Sequence, residues 1–197
     1  MKIAKKFMTL ALATALGVGC ATVGVSAAGS RTSAITVSAE QSAIYEVVQK
    51  IEETEGFADL QAELPAVADA FKQVNEGKME VAGFVEVLKT LAEETTDEEV
   101  KAAIEELVEK LDGKEFVTGF DEFKVLDADK AEKNADGKYE VEISVPSITD
   151  TMENIQLVAY SKEDAKKWQI VDPISVDKEN KTLEVALDDG AFFTVVA

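Results

Sequence analysis

The side chains that do most enzymatic chemistry are scarce in this chain. It has no histidine and a single cysteine, Cys20, among 197 residues. Ser-His-Asp and Cys-His catalysis and the usual zinc sites all require imidazole or thiolate, so these classes are set aside. Carboxylates are what it has in quantity, 39 Asp and Glu against 20 Lys and Arg. Such residues can bind calcium or act as the acid and base of a glycosidase. The best calcium candidate is Glu132-Lys-Asn134-Ala-Asp136-Gly137, with oxygen ligands at alternate positions ahead of a glycine. The pattern then departs from a calcium loop. Its first position is Glu rather than Asp, and Ile143 stands where a bidentate Glu belongs. Asp127 and Asp129 are near enough in sequence to add ligands. The simpler reading is a polar hairpin turn, and it applies equally to the acidic segment Asp177, Glu179, Asn180.

Other chemistry finds less support. A carboxylate-based glycan hydrolase would want aromatic platforms, and the chain offers one Trp and three Tyr. Trp168 alternates with Ile170 as a core residue does. Ser161-Lys162 are adjacent at a strand end, where the two side chains diverge, and read as a turn. No Gly-rich phosphate loop is present. Asn180-Lys-Thr182 matches a glycosylation sequon, a three-residue pattern that carries little weight by itself. The only arginine is Arg31, and the net charge is −19. That balance argues against nucleic acid and anionic membranes as partners, because phosphate binding needs clustered cations. The acidity serves solubility first.

The elements that must position these residues fall into two periodicities. Ser38 and Gln41 suggest a capping box ahead of Ile44, Val47, Val48 and Ile51, a helical i, i+3, i+4, i+7 stripe that Gly56 can end. Phe57, Leu60, Leu64, Val67, Phe71 and Val74 predict a second helix broken or kinked at Pro65 and stopped at Asn75-Glu76-Gly77. Val81, Phe84, Val85, Leu88 and Leu91 make a third stripe. Thr96 with Glu99 suggests a cap for a fourth, Val100 to Leu111, closed by Gly113. From about residue 114 the period changes to two. Strands are expected at Phe120–Leu126, Tyr139–Val145, Ile155–Ser161, Trp168–Val171, Ile174–Val176, Thr182–Leu187 and Ala191–Val196. Asp136-Gly137 and Asp189-Gly190 read as hairpin turns.

The run Trp168-Gln-Ile-Val-Asp-Pro173, then Val176-Asp177, Asn180-Lys-Thr-Leu-Glu-Val185 and Phe192-Phe193-Thr-Val, resembles the end of immunoglobulin-like β-sandwich modules. Such modules occur in exported proteins of Gram-positive bacteria. The resemblance covers the last third of the chain. It implies a secreted or surface setting and names no activity.

The N-terminus agrees with export. Lys2, Lys5 and Lys6 precede an uncharged apolar stretch, Phe7 to Val25, and Val25-Ser26-Ala27 supplies small residues for cleavage. No acidic residue occurs before Glu40. Cleavage after Ala27 is expected to release the protein. Lipidation at Cys20 is the alternative, although Gly17 stands where such signals usually have Leu. After cleavage the chain is expected to hold no cysteine, no second apolar run long enough to cross a membrane, and no C-terminal anchor, since it ends in an apparent strand.

The expected organisation is therefore a signal peptide over 1–27, a flexible linker over 28–37, a helical domain over 38–113 and a β-sandwich domain over 114–197. The class is α+β, a four-helix bundle-like region followed by an antiparallel sandwich. The expected function is a secreted or envelope-associated, non-enzymatic binding or structural protein whose partner is an unknown protein or glycan at the envelope. The alternatives are a calcium-dependent extracellular module (Glu132, Asn134, Asp136) and a carboxylate-based glycan hydrolase.

Overall fold

A computed structural model describes residues 35–164 and 167–197. The leader, Cys20 and most of the linker lie outside these. The chain is mixed α and β. Its strands are β1 (Thr36–Val37), β2 (Tyr45–Val48), β3 (Asp121–Val125), β4 (Tyr139–Ser144), β5 (Gln156–Tyr160), β6 (Trp168–Val171), β7 (Ser175–Asp177), β8 (Thr182–Leu187) and β9 (Phe192–Val196). Four helices, α1 (Glu55–Glu63), α2 (Pro65–Asn75), α3 (Val81–Glu94) and α4 (Glu98–Lys110), stand between β2 and β3. Two antiparallel sheets result, ordered β1-β4-β8-β7 and β2-β3-β9-β5-β6. Among the described residues no helix is long and apolar enough to cross a membrane.

The period-two pattern of the central strands divides the interior in two. In β5, Leu157 and Ala159 point into a core shared with Val141, Ile143, Leu183 and Val185 of the four-stranded sheet. Their neighbours Val158 and Tyr160 point the other way, into a core shared with the helices. β9 divides likewise, Phe193 and Val195 against Phe192 and Val196. A strand covered on both faces reads as a continuous apolar run, and all five residues of β9 are buried. The four-stranded sheet keeps one wet face, with Glu140 and Glu142 of β4 exposed beside buried Val141 and Ile143. The helix-side core is aromatic at its centre. Phe71 of α2 stacks on Phe120 at 3.7 Å between ring centroids, and Phe84, Trp168 and Phe192 close around them.

Several local expectations are corrected. Tyr45–Val48 is a strand, not part of a first helix, and pairs with β3 in the register Tyr45↔Val125. Its β-branched and aromatic residues favour a pleated surface, and the helical spacing of Ile44, Val47, Val48 and Ile51 is incidental. Gln41 caps no helix: its Oε1 accepts from Glu142 N of β4 and its Nε2 donates to Glu140 O. Residues 36–37, expected in the linker, are strand β1 on the edge of β4. Gly56 lies inside the first turn of α1 rather than ending a helix. The break at Pro65 is complete, giving two helices with the proline at the start of α2, where its missing N–H costs nothing. α4 is capped by Asp97, whose Oδ1 accepts from Glu99 N and Val100 N, rather than by Thr96. Asp189-Gly190 joins β8 of one sheet to β9 of the other, so it turns a corner between sheets instead of closing a hairpin.

Candidate functional site

The residues singled out for cation binding form a hydrogen-bonded turn. Asn134 Oδ1 accepts from Asp136 N and Lys138 N at 3.0 Å each, and Asn134 Nδ2 donates to Glu140 Oε1. Gly137 supplies the positive φ that the turn into β4 requires. Asn134 thus spends its side-chain oxygen on backbone amides, and among the described residues no group of three or more acidic side chains is placed to hold a metal ion. Asp127 pairs with Lys130 at 2.7 Å. Asp177 accepts from Asn180 N and Asn180 Nδ2, and these bonds hold its carboxyl below the usual range, the backbone bond first. Ser161 Oγ accepts from Glu163 N, while Lys162 reaches across to Asp59 and Glu63 of α1.

The two aromatic residues of the β5–β6 pair lie elsewhere, beside a cleft of about 290 Å³. It opens where the two helix–helix junctions meet the edge of the five-stranded sheet. Glu63 and Leu64 come from the α1–α2 junction, Thr95 and Asp97 from the α3–α4 junction, and Leu91 and Val100 from α3 and α4. Tyr160 and Trp168 form its floor. They are cross-strand partners with ring centroids 4.9 Å apart. Trp168 is 1% exposed, so it serves as core. Lys167, at the rim, adopts a positive φ in a turn where its amide donates to Asp164 O and its carbonyl accepts from Ser161 N.

Tyr160 is the unusual residue of this cleft. It is 1% exposed, and its hydroxyl is buried without a hydrogen-bond partner among the described residues. Burial, with the nearby Glu63 charge as a smaller contribution, pushes the phenol up to about 12. It therefore keeps its proton at any physiological pH. The two carboxylates at the mouth are exposed and already engaged, Glu63 with Lys162 and Asp97 with the first amides of α4. A second cavity of about 270 Å³ lies between the edge strands β1 and β2, lined by Val37, Tyr45, Val47 and Leu126 among others. Its polar lining includes Gln49, whose Nε2 donates to Ile35 O.

Sequence reasoning assigned Leu64, Leu91 and Val100 to helix stripes and did not associate them with Tyr160. The only signal available was a tyrosine in a strand whose other residues, Gln156 apart, are apolar. Comparison of the chain with protein-family models, with curated proteins and with solved structures finds no match.

Proposed function

We propose that this chain is a non-enzymatic binding protein that acts outside the cytoplasm, either released after Ala27 or held at the envelope by a lipid on Cys20. In this reading the two sheets form an immunoglobulin-like sandwich, and the four helices make a bundle-like layer over its five-stranded face. The observation that carries the binding role is the cleft of about 290 Å³ between the helix junctions and the edge of the five-stranded sheet, with Leu64, Leu91 and Val100 in its lining. Around it stand apolar side chains and charges of both signs, the composition of a recognition pocket.

Two measurements test the reading. Mass spectrometry of protein recovered from the native host should find a start at Ala28 or a lipid-modified Cys20. An unprocessed chain beginning at Met1 in the cytoplasm would end the claim of export. A panel of envelope glycans should show no turnover, and hydrolysis that Glu63→Gln abolishes would replace a binder with a carboxylate-based hydrolase.

A further inference from the structure

We propose that the free edge of β7 is a docking strand for a protein partner of opposite charge. The occupant is an extended segment in which Lys or Arg alternates with apolar residues, added as a further strand of the four-stranded sheet. This goes beyond the binding reading above and uses the other sheet, so either can fail without the other.

β7 ends the order β1-β4-β8-β7 and pairs on one side only, with β8. An edge strand presents unpaired backbone N–H and C=O groups, the groups an added strand bonds. All three residues of β7 are exposed, whereas each of β2 to β6, β8 and β9 buries at least one. The rest of the described chain therefore leaves this edge uncovered. Among the described residues the exposed large apolar side chains are Leu126, Ile174 and Val176, and two of these stand here, Ile174 at 52% and Val176 at 42%. Val176 pairs with buried Leu183, so it carries the apolar side of the sheet out past the core. Natural edges are often blunted by lysine; β7 has none.

Charge selects the occupant. Directly paired residues share a face of a sheet. Glu142 lies opposite Glu184, and Glu184 opposite Ser175, with Asp177 opposite Thr182 in the next row. This is the wet face, where Glu140 and Glu142 are exposed. Like charges directly opposite are destabilising, and the chain does not offset them. Glu140, Glu142, Asp177 and Glu184 form no ion pair among the described residues. The side chains bonded to Glu140, Asp177 and Glu184 are neutral, Asn134, Asn180 and Ser175 respectively. Lys178 and Lys181 lie close in sequence, yet their ammonium groups are spent on the carbonyls of Met152 and Pro146. A second copy of the chain, at net charge −19, would bring the same carboxylates edge to edge. A strand of alternating side chains instead meets the carboxylates with its basic residues and Val176 with its apolar ones.

The test follows the fluorescence anisotropy of a labelled, end-blocked Lys-Val-Lys-Val-Lys-Val peptide titrated with the full-length protein. This peptide should saturate. Lys-Lys-Lys-Val-Val-Val has the same charge without the alternation, and an N-methylated copy of the first peptide has the alternation without backbone donors. Both should bind at least about tenfold more weakly. Val176→Lys, at an exposed position, should keep the wild-type urea unfolding curve and weaken the alternating peptide by at least about tenfold. The double variant Glu142→Gln, Glu184→Gln should also bind it more weakly, with a smaller dependence on salt. If either control peptide binds as tightly as the alternating one, the attraction is charge alone and strand addition is overturned. Binding unchanged by Val176→Lys and by the double variant overturns the assignment to β7. Dimers in sedimentation that Val176→Lys dissolves would make the occupant a second copy and overturn the basic partner. No saturation by the alternating peptide overturns the docking edge and leaves the reading of the Tyr160 cleft untouched.

Discussion

Replacing Tyr160 by Phe should stabilise the protein, the reverse of what such a substitution does where the hydroxyl is bonded. The hydroxyl is buried and has no partner among the described residues. A tyrosine with a hydrogen bond loses about 1 kcal/mol on conversion to Phe, whereas a buried polar group left unmatched costs about 1–3 kcal/mol to keep. The ring and its contact with Trp168 stay in place. The small void left by the oxygen takes back part of the gain, so the net is about 1 kcal/mol in favour of the variant. In urea that moves the midpoint up by about 0.5 M with an unchanged slope, and by heat about 2–4 °C. The phenol adds a second signature. Its folded pKa, about 12, lies above the ordinary value of 10. Between pH 10 and 12 the unfolded chain releases this proton while the folded one keeps it, so wild-type stability falls as pH rises through that window. The phenylalanine variant has no such proton. Its advantage should therefore grow by about 2 kcal/mol from pH 10 to pH 12. The lysines and the other two tyrosines are common to both proteins and cancel. A variant less stable than wild type at pH 7 would mean that the hydroxyl has a partner. An advantage flat with pH would mean that Tyr160 ionises as an exposed phenol does. Either result refutes the reading of the Tyr160 hydroxyl as buried and unpartnered.

Three further outcomes follow from the packing. Gly56→Ala should cost about 1–3 kcal/mol, because its Cβ would stand 2.6 Å from Glu122 Oε1 and 3.5 Å from Phe192 Cζ. Urea unfolding of the double variant with Glu122→Ala should be non-additive, since the two residues share one contact. Asn75→Ala should cost about 2 kcal/mol, because Oδ1 accepts from Phe120 N at 2.6 Å and Nδ2 donates to Phe120 O at 3.0 Å; Asn75→Asp should recover only the first of these, as measured by the same unfolding curves. Asn134→Ala should lose about 1 kcal/mol of turn stability, equally in calcium and in chelator. A melting temperature of the wild type that rises with calcium would instead assign Glu132, Asn134 and Asp136 to a cation.

What the sequence made legible tracks how locally each element is determined. Strands β3 to β9 follow from alternation or from short apolar runs bounded by turn residues, and α2, α3 and α4 follow from unbroken apolar stripes with punctuation at Pro65, Gly77 and Gly113. The segment 44–51 defeats the same method, because its apolar positions satisfy a helical spacing while its residue types satisfy a strand. The tie is broken by partners far away in sequence. Tyr45–Val48 finds the free edge of β3 nearly eighty residues later, and Gln41 finds the backbone of β4. Pairing of that separation leaves no mark in a window of a dozen residues. The Asp189-Gly190 corner is hidden for the same reason. The dipeptide specifies a tight turn, and only the sheet order reveals that its two strands belong to different sheets.

The cleft is hidden one level deeper. Alternation places Tyr160 on the opposite face of β5 from Ala159, yet both faces are largely apolar and buried, half-buried Gln156 apart. Nothing in Gln156–Tyr160 says which face meets the other sheet and which meets the helices. Once α4 packs against β6, the face carrying Tyr160 and Trp168 becomes the floor beneath the helix junctions. The junctions themselves are set by signals with another purpose. Pro65 starts α2 and thereby breaks the chain at Leu64, and Asp97 caps α4 and thereby fixes the turn after Thr95. Each residue of the cleft is thus accounted for by the element it belongs to, and the space between them follows only from how those elements dock. The exception is the Tyr160 hydroxyl. A phenylalanine would satisfy every packing requirement of that position, so the oxygen is the one atom of the floor that the fold leaves unexplained.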